Sequence, residues 1–177
     1  MPDLNVYIPE LIHSFNVYND KAKRLIGISG EVDLGELKAM VETVAVAGTL
    51  GEYEAPATGH FSSIKIKIPF ANLYEQPFEL LDTTKPPQLT LRGSIQRISQ
   101  ETFEVYNCPV KIVVRGRVTS TNLGKMVNAK KGEPEIEMEL LYIKIMIDGK
   151  DTLELDKLNF RYVLNGEDLM AEIRSQI

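Results

Sequence analysis

The chain has 177 residues, 44% hydrophobic and 25% charged, with 20 Lys and Arg against 25 Asp and Glu for a formal charge of −5. That length suits one domain over residues 1–177, able to bury roughly 70% of its unfolded surface and needing no disulfide or metal to stay folded. The acidic balance argues against general nucleic-acid affinity, which requires a dense cationic surface, and a single cysteine, Cys108, excludes an intramolecular disulfide.

The N-terminal MPDLNVYIPELI carries two prolines and no basic n-region. It reads as neither a secretion signal nor a membrane anchor, so synthesis in a reducing cytoplasm is expected. A hairpin is predicted from Phe15–Tyr18, the turn Asn19-Asp20, and Arg24–Ile28. Residues 33–46 are ambiguous. Asp33 with Glu36 resembles a capping box and Leu34, Leu37, Met40, Val41 and Val44 fall at helical spacing, whereas Val41, Thr43, Val44 and Val46 are β-branched; local signals favour a helix. Residues 48–59 are rich in Gly, Pro and small residues and read as a loop. Residues 63–70 alternate strictly, with Ile64, Ile66, Ile68 and Phe70 on one face and Lys65 and Lys67 on the other.

Residues 72–81 suggest a short helix capped by Asn72 and interrupted at Pro77. Two long strands follow, one with Leu89, Leu91, Gly93 and Ile95 on a face, the other with Val110, Ile112, Val114 and Val118 opposite Lys111, Arg115 and Arg117. Residues 118–134 are polar and read as a long exposed loop or hairpin tip. The strand from Glu135 is unusual. Ile136, Met138 and Leu140 are its apolar positions at first, then Leu141, Ile143, Ile145 and Ile147. Successive side chains point to opposite faces, so the dry face changes sides near Leu140. Such a strand is either bent between two sheets or partly covered by another chain. Asp148-Gly149 signals a turn. Short strands follow at residues 153–155 and 160–163. Asn165 is placed to cap a final helix bearing Leu169, Met170, Ile173 and Ile177, with Glu167 and Asp168 in its first turn. The sum is a mainly β, antiparallel domain with one inserted helix and a short C-terminal helix; sandwich and barrel both fit.

Chemistry-bearing residues are sparse. His13 and His60 are isolated in sequence and no Cys/His cluster has metal-ligand spacing. Residues 27–30 and 122–126 lack the full spacing of a phosphate loop and read as turns. Cys108, beside Pro109 with no nearby histidine, reads as a structural thiol. Glu135, Glu137 and Glu139 share a strand face and admit three readings: a metal or acid–base group, a solvated face, or cross-strand pairing with Lys65 and Lys67 or with Lys111, Arg115 and Arg117. No catalytic residue, cofactor or metal site is assigned. A cationic face, an acidic face and Gly-rich loops suit a protein that contacts copies of itself through programmed strand pairing.

The segments IPELIHSFNVYND, GEYEAPATGHF, QLTLRGSIQ and LELDKLNFRYVLNGEDLMAEIRSQI, in this order and spacing, resemble the major tail tube protein of contractile-tailed phages, a family shared with R-type phage-tail-like bacteriocins and distantly similar to the type VI secretion tube protein. Leu155-Asp156, Asn165 through Leu169, and Ile173-Arg174 match the family's C-terminal signature. The resemblance implies a sandwich or barrel-like tube fold, hexameric rings whose strands close one shared inner barrel, and rings stacked into a hollow tube within a sheath. It implies association with tail sheath, tape measure, baseplate and tail terminator proteins, non-specific passage of DNA in a phage, no membrane anchor, and residence in a virion tail or tail-like particle.

The same resemblance implies that residues 33–46 are extended and that a long loop reaches the neighbouring ring; here it falls at residues 44–59, with Val44, Ala47, Gly48, Leu50, Gly51, Glu52, Tyr53 and Pro56 as contact residues. A lumen that passes DNA must not grip phosphate, so Glu135, Glu137 and Glu139 are candidates for its wall. The face switch near Leu140 would then mark where intrachain packing gives way to the shared barrel. Two other readings are a monomeric β-barrel module holding a small apolar ligand, which requires an internal cavity, and a hydrolase acting through carboxylates such as Glu137.

Overall fold

Alternating β-branched and apolar residues put most of the chain into antiparallel strands. The computed structural model describes residues 7–48 and 50–177. In chain order these form β1 (Tyr7–Tyr18), β2 (Arg24–Leu25), β3 (Ala39–Val44), β4 (Tyr53–Phe61), β5 (Lys65–Pro69), α1 (Glu75–Phe78) with a 3₁₀ turn at Glu79–Leu81, β6 (Gln88–Ser99), β7 (Val105–Asn122), β8 (Glu135–Ile147), β9 (Lys150–Asp156), β10 (Arg161–Leu164), β11 (Glu167–Asp168) and α2 (Ala171–Gln176). The main sheet runs β11-β10-β9-β8-β7-β6-β1-β2, and β5 also pairs with β8. β3 and β4 form a separate two-stranded sheet.

The main sheet closes on itself. Beyond β2 the chain lies along the outer edge of β5, with bridges Ile28↔Phe70 and Asp33↔Lys67. The Ser29 N–H donates to the Pro69 carbonyl at 3.0 Å, and Asp33 and Lys67 exchange backbone bonds at 3.1 and 2.9 Å. Pairing therefore passes from β5 through β8, β7, β6, β1 and β2 and returns to β5, giving a small barrel that removes most exposed edges. Its interior holds Ile64, Ile66, Ile68 and Phe70, the alternating set read from sequence. Leu89, Val114, Met138 and Leu140 fill the rest, each at most 1% exposed. An interior filled to this degree does not favour the reading of a module that holds a small apolar ligand inside the barrel.

The switch of face in β8 has a cause within the chain. Arg115 opposes Tyr142 and Gly116 opposes Leu140, leaving Leu141 as an extra residue, a β-bulge. One extra residue resets the two-residue period, so burial passes from Ile136, Met138 and Leu140 to Ile143. The other edge of β8 changes partner at the same point, from β5 before the bulge to β9 after it. Gly116 is required there, because a Cβ would collide with the Glu139 carbonyl. Of the two readings of this strand, the bend is the one seen within the chain: β8 is a bulged strand serving two neighbours.

Several other sequence expectations change. Residues 33–46 contain no helix; Asp33 caps nothing and accepts a hydrogen bond from the Gly35 N–H at 2.9 Å, while residues 39–44 are extended, as the resemblance implied. The expected loop at 48–59 is largely β4, because pairing with β3 supplies its backbone partners. Asn72 is not a helix cap. Its Oδ1 accepts the Gly132 N–H at 2.8 Å, the helix starts at Glu75, and Pro77 sits within the first turn, where a missing N–H costs nothing. The polar 118–134 stretch is shorter than expected, since β7 continues to Asn122. Asn165 does not cap α2. Asn165 and Gly166 both have positive φ, 50° and 87°, and form the two-residue turn between β10 and β11.

A candidate assembly surface

The hairpin of β3 and β4 stands apart from the barrel. Among the described residues its strands pair only with each other, and its apolar Met40, Val41, Leu50 and Tyr53 are 53%, 48%, 110% and 56% exposed. Of the expected contact residues, Val44 ends β3, Ala47, Gly48, Leu50, Gly51 and Glu52 lie in the tip, and Tyr53 and Pro56 belong to β4. Isolated two-stranded hairpins are marginal in water, so its base must be held. The Ser62 N–H donates to the Lys38 carbonyl at 2.9 Å. The Phe61 ring meets Tyr162 edge-on at 5.1 Å, and His60 meets Phe160 at 6.0 Å. Gly59 lies under Met170, whose sulfur occupies the space of the missing side chain.

The C-terminal segment fixes that clamp. Arg174 Nη2 donates to Asp168 Oδ2 at 2.6 Å, and its Nη1 donates to the Phe160 carbonyl at 3.0 Å and to Asp168 Oδ1 at 3.3 Å. Asp168 Oδ1 also accepts the Met170 N–H at 3.1 Å. The Arg174 hydrogen bond, with help from the Met170 amide, holds the Asp168 carboxyl below the usual range. Asp168, expected with Glu167 in the first turn of the final helix, lies instead in β11, and Arg174 was legible only as part of a signature. Their physical role is to lock Phe160 and Met170, the two residues that touch β4 at His60 and Gly59.

A second surface is the edge of β1. Only Val17 and Tyr18 pair with β2, and residues 8–16 pair only with β6 among the described residues. Ile8, Leu11 and Ile12 are 45%, 51% and 63% exposed along it. Extra residues at Glu10 and His13 bulge the strand, which places His13 at an exposed irregularity. A cleft of about 530 Å³ runs between this edge and the segment 24–32.

The acidic face is the third surface, and neighbours engage the carboxylates of Glu137 and Glu139. Lys65 Nζ donates to Glu137 at 2.8 Å, and this bond lowers the Glu137 carboxyl and raises the Lys65 ammonium. Burial pushes the Glu139 carboxyl up. Hydrogen bonds from Ser63 Oγ and the Ile64 N–H, and the charge of Lys157 at 3.5 Å, outweigh this and leave it below the usual range. Register sets Glu137 opposite Lys67 and Glu139 opposite Lys65 on β5 and Arg117 on β7. Cross-strand pairing with the β5 lysines, one of the three readings, is what the geometry shows for Glu137. Arg115 turns elsewhere, donating to Gln88 at 2.5 Å and lying over the Tyr142 ring. Cys108 is buried beside the Pro109 carbonyl as a structural thiol. Among the described residues no group of three His, Cys, Asp or Glu is placed to hold a metal ion.

Three comparisons bear on these surfaces. Over 85 residues the chain is 31% identical to the tail tube protein of Escherichia phage P2, an alignment covering 48% of this chain and 47% of that protein, about half of each. The fold is similar to a chain of the cryo-EM structure of an extracellular contractile injection system, the PVC sheath-tube complex in its extended state. That likeness has a TM-score of 0.54 at 11% identity over 78% of this chain and 91% of the other. The family model for phage tail tube protein FII matches residues 9–177, from the first residues of β1 through α2, and the chain belongs to that family.

Proposed function

We propose that this chain is the inner-tube subunit of a contractile phage tail or tail-like particle, a structural protein that closes into hexameric rings and stacks them inside a sheath. The observation that carries the reading is the family match across residues 9–177, joined to a hairpin whose apolar side chains the chain itself leaves uncovered. In this reading the bare edge of β1 receives a strand from the next subunit, which extends the sheet around the ring and removes the exposed edge. The hairpin reaches the adjoining ring through Val44, Ala47, Gly48, Leu50, Gly51, Glu52, Tyr53 and Pro56. Glu135, Glu137 and Glu139 face the lumen. With Lys65 and Lys157 beside them they offer DNA a wall of balanced charge, which lets phosphate slide without a cationic grip. A hexameric structure with those carboxylates on the outer wall would refute the lumen assignment.

Electron microscopy of concentrated protein, alone and seeded with short tube fragments, tests the whole reading. Sixfold rings and tubes are expected. A 19.9 kDa particle at every concentration, seeded or not, overturns it.

A further inference from the structure

The β3–β4 hairpin and the turn joining β7 to β8 carry opposite charge. Residues 39–61 hold three carboxylates, Glu42, Glu52 and Glu54, and no lysine or arginine. The turn, residues 123–134, holds three lysines, Lys125, Lys130 and Lys131, against one carboxylate, Glu133. All six side chains are exposed, and none enters a salt bridge among the described residues.

Both segments also present apolar groups to solvent. On the turn Leu123, Met126 and Val127 are 56%, 98% and 49% exposed, beside Leu73 and Phe78 at 48% each. Leu73, Met126 and Val127 line a cleft of about 300 Å³ whose charged lining residues are Lys125 and Lys130. Leu73 also lines a second hollow with Phe78 and Leu123, so the patch is continuous. An apolar floor with a cationic rim suits an acidic strand bearing large apolar side chains.

The two segments sit at opposite ends of β5. The hairpin base is tied at Ser62 to Lys38, just before that strand. The turn is tied just after it, where the Phe70 N–H donates to the Pro134 carbonyl at 2.8 Å and the Gly132 N–H donates to the Ala71 carbonyl at 3.0 Å. A five-residue strand separates them by about 17 Å. Complementary patches at opposite ends of one subunit make a head-to-tail contact, which propagates along an axis and does not close by a two-fold.

We infer that the 123–134 turn, with Leu73 and Phe78, is the receiving surface for the β3–β4 hairpin of a second copy of this chain in the adjoining ring. The inference rests on the tube reading and adds the docking partner of the hairpin. Charge reversal tests it. The variant K125E/K130E/K131E is expected to keep its thermal unfolding temperature and its rings, and to need about tenfold or more protein to form tubes. E42K/E52K/E54K is expected to behave likewise, and the six-fold combination to restore tubes. Electron microscopy and sedimentation read the outcome. The pairing is overturned by a lysine variant that stacks as well as wild type, by one that loses rings as well as tubes, or by a combined variant that stays as single rings. Wild-type protein that gives neither rings nor tubes, seeded or not, fails the tube reading itself and this inference with it.

Discussion

Two adjacent parts of the chain, the β3–β4 hairpin and β5, are both β-rich, and they end in opposite environments. In β5 Ile66 and Ile68 are 0% and 1% exposed, whereas in the hairpin Met40, Val41 and Tyr53 are about half exposed. β5 is covered by β8 and by the barrel interior. Among the described residues the hairpin is held at its base, and it offers apolar groups outward. Apolar composition predicts that a residue will be buried; it does not say which chain will bury it. The barrel buries its own apolar residues, and the hairpin leaves several of its apolar residues about half exposed.

The sharpest way to break that comparison is to damage the barrel alone. Gly116→Val forces a branched side chain into the Glu139 carbonyl and is expected to cost about 3 kcal/mol or more, seen as loss of cooperative unfolding by circular dichroism. Ile66→Ala removes a fully covered side chain and should cost about 2–5 kcal/mol in denaturant unfolding. If it costs under about 0.5 kcal/mol, the interior is not packed as described. Leu50→Ser is the matched change in the hairpin tip. It is expected to leave the isolated subunit within about 0.5 kcal/mol of wild type while tube yield collapses. A large loss of subunit stability would mean that the tip is covered by its own chain after all.

Smaller effects probe the junction of the two regions. Arg174→Ala releases Asp168 and the Phe160 carbonyl, and faster amide exchange is expected at residues 59–62 with β5 unchanged. Equal exchange in both variants would show that the clamp does not reach the hairpin. The smallest effect is acid sensitivity. The Asp168 carboxyl is depressed in the folded chain by Arg174, and that of Glu137 by Lys65. Their contribution is therefore fully present above the ordinary carboxylate range, about pH 4–5, and is lost as pH falls through the depressed values. Asp168→Asn should flatten that acid limb, read as thermal midpoint against pH.

The sequence made the barrel legible where one period held without interruption. Ile64 through Phe70 and Asp148-Gly149 were found because alternation and turn chemistry are local signals. Residues 33–46 misled because helical spacing and β-branching coexisted, and the decision lay with β4, a partner that local reading cannot see. Asn165 misled because an Asn before acidic residues resembles a cap, while Asn-Gly between two short strands is a hairpin turn. The acidic trio was visible as a stripe, but its pairing depended on the register of β5 against β8. The Met170–Gly59 contact left no local trace, since it joins residues more than a hundred positions apart.

The bulge at Leu141 has a consequence for comparing relatives. It acts as a frame marker: parity upstream and downstream of it follows different rules. Deleting Leu141 would join Leu140 directly to Tyr142, remove the bulge and leave one unbroken alternation in which Ile143 and Ile145 keep their face. An alignment with a relative lacking the bulge that opens its gap elsewhere in this strand would match inward residues to outward ones between the gap and Leu141. A relative that lacks the extra residue is expected to show its apolar residues at a single parity through the whole strand.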